Sequence, residues 1–136
     1  MKVLILGDGL LGSEIHKQTD WEYISRKKDK IDFCDIKTYK EFLKEYDTII
    51  NCIANTDTYS DDKTKHYETN YKAVLELEKH CRYTNKKLIH ISTDYVYTGS
   101  KPFATEEDLP IPSPNWYTYY KLLADEYIKA KNENYL

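Results

Sequence analysis

The sequence predicts an α/β protein with a Rossmann-type, doubly wound parallel sheet. Two observations lead to this prediction. Short apolar, β-rich runs alternate with segments whose apolar residues have helical spacing, in the order βαβαβαβ, followed by a loop and a last helix. A glycine-rich turn also joins the first run to the first helical segment. Parallel strands need crossover helices, so ligands are expected at the carboxyl ends of the strands.

The predicted elements follow in chain order. Strands are expected at residues 2–6, 21–25, 48–53 and 87–92, and helices at residues 10–15 and beyond, 36–46, 67–81 and 115–132. Asn115 is the expected N-cap of the last helix. Residues 134–136 resemble the opening of another strand. We therefore expect residues 1–136 to form one dinucleotide-binding domain, truncated before a substrate domain.

Composition excludes several classes of protein. The 136 residues carry a net charge of −3, which gives no basic excess for binding nucleic acid, and no apolar run approaches the roughly 20 residues of a membrane span. Three cysteines without Cys-x-x-Cys spacing, and four histidines without a ligand pattern, predict no disulfide framework and no metal site. A cytoplasmic protein is expected, with Cys52 packed as a small hydrophobe.

The glycine turn predicts a dinucleotide site. Gly7, Gly9 and Gly12 follow a strand and open a helix, which is the context that the G-x-G-x-x-G motif requires. Gly7 permits the tight turn, Gly9 lets the backbone approach a pyrophosphate, and Gly12 lets the helix pack on the strand. The helix N-terminus offers N–H groups and a positive dipole end to phosphates. A plain strand-to-helix turn is the alternative.

The end of the second strand indicates which dinucleotide is bound. NAD sites usually carry an acidic residue there for the ribose 2′-OH, whereas this chain has Ser25, Arg26 and Lys27. A guanidinium can bind a 2′-phosphate with two hydrogen bonds. NADP(H) is therefore favoured over NAD(H). The alternative is a solvated run of charges.

One tyrosine is a candidate for proton transfer. Tyr-x-x-x-Lys spacing places both side chains on one helix face, but this chain has six such pairs, starting at Tyr23, Tyr59, Tyr83, Tyr97, Tyr117 and Tyr127. The pair Tyr117/Lys121 alone opens a helix directly after the loop beyond the fourth strand. The ammonium can lower the pKa of the phenol, which can then pass a proton to a carbonyl.

Several motifs together resemble a known family. They are the glycine turn, residues 31–35, residues 51–56, Asn70, the Ser-Thr-Asp-Tyr-Val-Tyr run at residues 92–97, and Tyr117-x-x-x-Lys121. In this order they resemble the N-terminal part of an extended short-chain dehydrogenase/reductase, of the dTDP-4-dehydrorhamnose reductase group. The resemblance covers essentially the whole chain. Family members continue with more sheet and a domain that holds the nucleotide-sugar.

The resemblance implies a role for each site residue. Thr93 would hydrogen-bond the substrate carbonyl, Tyr117 would protonate it, and Lys121 would hold the nicotinamide ribose and lower the pKa of Tyr117. Asp32 and Phe33 would lie by the adenine, with Ala54 and Asn55 along the cofactor path. The expected cofactor-binding set is Gly7, Gly9, Leu10, Leu11, Gly12, Ser25, Arg26, Asp32, Phe33, Ala54, Asn55 and Lys121. Asn55 stands where the family often has His.

The implied activity is NADPH-dependent reduction of a 4-keto-6-deoxy nucleotide-sugar, as in dTDP-rhamnose and polysaccharide biosynthesis. Two alternatives remain open. One is a non-catalytic NADP-binding regulatory subunit, the role that relatives of this group play beside methionine adenosyltransferase. The other is an NAD-dependent nucleotide-sugar epimerase or dehydratase. The expected partner is a nucleotide-sugar, without nucleic acid or membrane, and a homodimer is compatible with the sequence.

Overall fold

The computed structural model describes residues 1–131, which contain a four-stranded, fully parallel sheet. The strands are β1 (Val3–Leu6), β2 (Glu22–Ile24), β3 (Thr48–Asn51) and β4 (Lys87–His90), in the spatial order β2-β1-β3-β4. β1 is central, with Leu4 opposite Glu22 on one side and Ile49 on the other. The predicted Rossmann-like fold class is therefore confirmed, with each strand slightly shorter than its apolar run.

Helices connect these strands, and one more helix follows the fourth strand. They are α1 (Leu10–Thr19), α2 (Arg26–Asp29), α3 (Lys63–His66), α4 (Ala73–Tyr83) and α5 (Trp116–Lys131), with a π-helical segment (Tyr67–Lys72) between α3 and α4. Short 3₁₀ helices occur at Ile36–Thr38, Phe42–Glu45 and Asp94–Tyr97. No helix within residues 1–131 has the length and apolar character that a membrane span requires. Residue 132, where α5 was expected to end, and the strand expected at residues 134–136 lie outside the described residues.

The continuous helix predicted for residues 36–46 is wrong. The Asp35 carboxylate accepts a hydrogen bond from the Lys37 N–H, and the Thr38 hydroxyl contacts the Asp32 and Asp35 carbonyl oxygens. These local bonds favour tight turns over an extended α-helix. Tyr39 and Leu43 are nevertheless almost fully buried. The apolar spacing thus identified the buried residues correctly, but not the type of helix.

The residues divide into two compact units. The first comprises Met1–Ala54 with Glu76–Ile91 and contains the whole sheet; the second comprises Asn55–Leu75 with the described residues from Ser92 onward. In the first unit, side chains alternate between the two faces of the sheet. One face carries Leu4, Leu6, Ile24 and Ile49 with Phe33, Tyr39, Leu43, Leu77 and Cys81, and the other carries Val3, Ile5 and Ile50. Cys52 packs against the second cluster, as expected.

Candidate functional site

The turn after β1 requires glycine at its first position. Gly7 has a φ of +100°, a conformation that side-chain-bearing residues rarely adopt, and its N–H donates to the Ile24 carbonyl at 2.9 Å. A Cβ on Gly7 would also lie 2.6 Å from Cδ1 of Ile53. Glycine at position 7 therefore allows the backbone to turn at the end of β1 while it lies close to the ends of β2 and β3.

The other two glycines of the turn have different surroundings. A Cβ on Gly12 would overlap the carbonyl oxygen of Gly7, so α1 sits directly on the turn. A Cβ on Gly9 would meet nothing within 4 Å. The space beside Gly9 is therefore open, and a planar or anionic group can approach the backbone there.

The N-terminus of α1 is well suited to an anion. Gly9 is its N-cap and has no side chain to accept hydrogen bonds from the first turn. Leu10 is 97% exposed and Leu11 is exposed, so neither side chain belongs to the core. The Ser13 hydroxyl donates to the Asp8 carbonyl at 2.8 Å and fixes the turn. The backbone N–H groups of the first turn of α1, together with the positive end of the helix dipole, can bind a pyrophosphate.

Ser25 and Arg26 have distinct roles after β2. Ser25 is buried; its hydroxyl accepts from the Lys28 N–H at 3.2 Å and its own N–H donates to the Asp29 carboxylate at 2.8 Å. Arg26 is exposed and, among the described residues, its guanidinium forms no hydrogen bond or ion pair. Lys28 differs, because its ammonium lies 4.4 Å from the centre of the Tyr23 ring. The Arg26 guanidinium is thus available to a ligand.

The two residues expected beside an adenine are oriented differently. Asp32 is exposed, and its Oδ1 accepts from the Cys34 N–H at 2.9 Å. Phe33 is only 5% exposed, and its ring packs edge-on against Tyr39 with centroids 5.4 Å apart. The Phe33 side chain therefore packs in the core, so a contact between this residue and a ligand would have to come from its backbone.

Asn55 is held in place by Asn70. The Asn70 side chain accepts from the Asn55 N–H at 2.7 Å and donates to the Asn55 carbonyl at 2.9 Å. Asn70 is 1% exposed and lies in the π-helical segment. Ala54, the preceding residue, is half-buried. The backbone after β3, where the cofactor path was expected, is thus fixed by two hydrogen bonds to one side chain.

His66 is a buried polar residue that sequence reasoning assigned no role. Its Nε2 lies 3.0 Å from the Asp57 carbonyl, which can only accept, so Nε2 carries the proton. Nδ1 then accepts from the Asn55 and Asn70 amides, at 3.3 and 3.2 Å. The one sequence signal for this cluster was the four-residue spacing of His66 and Asn70, which places two polar side chains on the same face of a helix. The bonds to Asn55 and Asp57 come from tertiary folding.

Tyr117 lies in the first turn of α5. Asn115 caps this helix, as predicted, since its Oδ1 accepts from the Thr118 N–H at 2.8 Å. The half-buried Tyr117 ring contacts His66 and Tyr95 edge-on, with centroids 6.4 and 6.3 Å apart. Among described residues its phenolic oxygen has no hydrogen-bond partner. The ring contacts with His66 and Tyr95 therefore position the Tyr117 phenol, and its oxygen is available to a ligand.

Lys121 and Thr93 belong to the same unit as Tyr117. Lys121 is 1% exposed, and burial lowers the pKa of its ammonium to about 8, while the Asp125 carboxylate opposes this shift. The Thr93 hydroxyl oxygen accepts from the Tyr95 N–H at 3.3 Å, which leaves its O–H as a donor. This unit thus carries a phenol, a buried ammonium and a hydroxyl donor.

The neighbouring tyrosines of α5 have structural roles. Tyr120 is 6% exposed and packs among the rings of Tyr67, Tyr71 and Trp116. Tyr119 packs edge-on against Trp116 and Tyr120. Tyr117 therefore differs from both because a buried lysine, Lys121, follows it one helical turn later.

Comparison with known proteins gives a consistent result. The model of the family described as the RmlD substrate binding domain matches residues 1–136. A hypothetical dTDP-4-dehydrorhamnose reductase from Sulfolobus tokodaii superposes with a TM-score of 0.82 and 31% identity, over 93% of this chain and 51% of that one. The dTDP-4-dehydrorhamnose reductase of Bacillus anthracis, solved in complex with NADP, gives a TM-score of 0.82 and 25% identity, over 96% and 50%.

Another relative is a subunit of a different enzyme. Methionine adenosyltransferase 2 subunit beta of Pongo abelii is 27% identical over 146 residues, which cover 96% of this chain and 43% of that protein. The chain thus spans about half the length of the relatives that it matches. The matched proteins include reductases and a subunit of another enzyme.

Proposed function

We propose that this chain, which belongs to the RmlD substrate binding domain family, serves the NADPH-dependent reduction of a 4-keto-6-deoxy nucleotide-sugar. The observation that carries the proposal is the pair Tyr117 and Lys121 on one face of α5, with the lysine buried and Thr93 in the same compact unit. The likeness to dTDP-4-dehydrorhamnose reductases supports this substrate class.

The cofactor would be NADP(H) in preference to NAD(H), and it would supply a hydride. The open backbone at Gly9 and the α1 N-terminus with Leu10 and Leu11 would bind its pyrophosphate. The exposed Arg26 guanidinium would bind the 2′-phosphate, beside Ser25. The NADP complex of the Bacillus anthracis reductase supports this choice. Asp32 and the Phe33 backbone would contact the adenine, with Ala54 and Asn55 along the cofactor.

The protein's own groups would handle the proton. The Thr93 hydroxyl would donate a hydrogen bond to the substrate carbonyl oxygen, and the Tyr117 phenol would transfer its proton to that oxygen as the carbon is reduced. The Lys121 ammonium would stabilise the phenolate that remains and would bind the nicotinamide ribose. The half-buried Tyr117 ring, held between His66 and Tyr95, would keep the phenol in one orientation.

A regulatory, NADP-binding subunit is the second candidate, and the likeness to methionine adenosyltransferase 2 subunit beta favours it. Such a subunit needs the glycine turn but not a phenol beside a buried ammonium. The presence of Tyr117, Lys121 and Thr93 therefore favours the reductase. An NAD-dependent epimerase or dehydratase would keep NAD bound throughout catalysis, so NAD retained on the purified protein would indicate that class.

The test is an NADPH-oxidation assay of the full-length protein with dTDP-4-keto-6-deoxy sugars, alongside calorimetric titration with NADPH. Turnover that depends on both compounds supports the reductase. Tight NADPH binding without turnover of any 4-keto sugar would instead favour the regulatory subunit. Weak or absent NADPH binding would contradict both. A homodimer and a cytoplasmic location stay predictions from the sequence.

A further inference from the structure

Asp125 hydrogen-bonds one residue beside the proposed reaction centre, Ser92, and acts electrostatically on another, Lys121. It lies one helical turn after Lys121 on α5, so both side chains extend from the same face. Its carboxylate accepts a hydrogen bond from the Ser92 hydroxyl, 33 residues away in the chain. Ser92 directly precedes Thr93. All of these residues belong to the same compact unit.

We propose that Asp125 is a positioning residue: it ties the Ser92–Thr93 segment to α5, and it places a negative charge one turn from the Lys121 ammonium. Its importance for catalysis rests on the proposed reductase function. The tether and the charge interaction themselves are properties of the fold and can be measured without turnover.

The chemistry of this position favours a carboxylate. A hydroxyl-to-carboxylate hydrogen bond is charge-assisted and therefore stronger than one between neutral groups. A buried ammonium also requires a compensating charge, because burial penalises its protonated form. Burial lowers the pKa of Lys121 to about 8 and Asp125 raises it, so Asp125 offsets part of the penalty. Burial raises the pKa of Asp125, while the Ser92 hydrogen bond and Lys121 oppose that shift.

Other ionisable groups lie on α5 and on the segments packed against it. Glu126, the next residue along the helix, acts on the pKa of Asp125 but is itself exposed. The causes of the Lys121 shift are burial and Asp125. The titratable residues on the segments packed against α5 are Lys63, Lys65, His66, Tyr67, Glu68, Tyr71, Lys72, Asp94, Tyr95 and Tyr97. Asp125 is the acidic group that raises the pKa of Lys121, so it is the one to substitute.

Removing the charge should lower the pKa of Lys121. With a pKa of about 8, about nine-tenths of Lys121 is protonated at pH 7. The Asp125 charge raises the pKa of Lys121, and a neighbouring opposite charge typically moves a pKa by about one unit. Loss of the Asp125 charge would therefore leave about half of the lysine, or less, protonated at pH 7.

The experiment is an NMR titration of the full-length protein labelled with ¹³C at lysine Cε, with the Lys121 signal assigned by its loss in Lys121→Arg. We expect Asp125→Asn to lower the Lys121 pKa by about one unit and Asp125→Glu to restore most of it. Glu126→Gln is the matched control and should leave the Lys121 pKa unchanged. Circular dichroism and a melting curve verify that each variant folds. An unchanged or raised pKa in folded Asp125→Asn would overturn the charge interaction.

A second variant tests the hydrogen bond between Ser92 and Asp125 separately from the charge. Ser92→Ala keeps the Asp125 charge, so the Lys121 pKa should stay within a few tenths of the wild-type value. Hydrogen exchange at the Tyr95 amide, which donates to the Thr93 hydroxyl, should accelerate about tenfold or more as the segment loosens. Unchanged exchange in this variant would contradict the tether.

These readouts separate the inference from the proposed function. If the wild-type protein reduces no 4-keto sugar while the Lys121 pKa depends on Asp125, the reductase proposal fails and the positioning role stands. If the protein is active, Asp125→Asn should lower kcat more than it changes KM and shift the pH profile, with rescue by Asp125→Glu. If the wild-type protein is active, but Asp125→Asn changes neither its pH profile nor the Lys121 pKa, the positioning role is overturned and the reductase proposal stands.

Discussion

Gly12 lies against the carbonyl oxygen of Gly7 so closely that no side-chain atom fits between them. This contact seats α1 on the end of β1. Gly9, between the two in sequence, faces open space instead. The three glycines of one motif therefore divide into two that the fold needs and one that leaves room for a ligand.

The first prediction separates these two roles. Gly12→Ala should destabilise the protein by about 3 kcal/mol, because the methyl group meets backbone that cannot move aside. Gly9→Ala should leave the free energy of unfolding nearly unchanged but weaken NADPH about tenfold or more, since its Cβ occupies the space into which the pyrophosphate would fit. Urea unfolding and NADPH titration of both variants provide the measurements.

An equal loss of stability in both variants would contradict the claim that a Cβ fits at Gly9 without meeting other atoms. Unchanged NADPH affinity in Gly9→Ala would remove the glycine turn from the proposed cofactor site. The two results are independent, because the first concerns packing and the second concerns binding.

The second prediction concerns the choice of dinucleotide. Arg26→Ala should weaken NADPH about 10- to 100-fold, because charge-assisted hydrogen bonds to the 2′-phosphate are lost. NADH affinity should change less than about twofold, since it has no 2′-phosphate. Lys28→Ala is the control, because the Lys28 ammonium already lies over Tyr23 and donates to its carbonyl at 3.2 Å. Equal losses for NADPH and NADH in Arg26→Ala would contradict the NADP assignment.

The third prediction tests the proton donor. Tyr117→Phe should lower kcat of the full-length reductase by about 10²- to 10⁴-fold, because the ring is retained and only the transferable proton is removed. NADPH affinity should stay nearly constant. Tyr127→Phe is the matched control, since Tyr127 has the same spacing to Lys131, whose ammonium lies 6.0 Å from its ring centre. Activity that survives in Tyr117→Phe would mean that another group supplies the proton.

The fourth prediction concerns stability at high pH. Burial of Cys81 raises the pKa of its thiol to about 12, whereas the unfolded thiol titrates near 9. Between these values the unfolded state binds fewer protons than the folded state, so stability falls as the pH rises. One thiol contributes up to about 1.4 kcal/mol of stability per pH unit in this range. Cys81→Ala should therefore make the free energy of unfolding fall less steeply between pH 9 and 11, although the variant should be less stable at pH 7. Urea unfolding of both proteins across this pH range measures the free energy of unfolding. If it falls equally steeply with pH in both, Cys81 is not the group responsible.

Much of the fold follows from local patterns. The apolar runs at residues 2–6 and 48–53 identify β1 and β3, whose residues are all buried, and the glycine turn identifies where α1 begins. The region of Tyr39 and Leu43 was harder, because its apolar spacing suits a helix while the hydrogen bonds of Asp35 and Thr38 favour 3₁₀ turns. Periodicity reports which residues are buried, and short-range polar bonds then choose the backbone conformation.

The sequence by itself determined that Tyr117 and Lys121 share a helix face, because a four-residue spacing fixes their relative direction in any α-helix. It also determined the spacing of the glycine turn. Only the tertiary structure decided that Lys121 is buried, that Tyr120 packs into an aromatic cluster, and that Ser92 binds Asp125. Burial and long-range hydrogen bonds depend on which distant segments pack against a helix, and the order of residues along that helix does not contain this information.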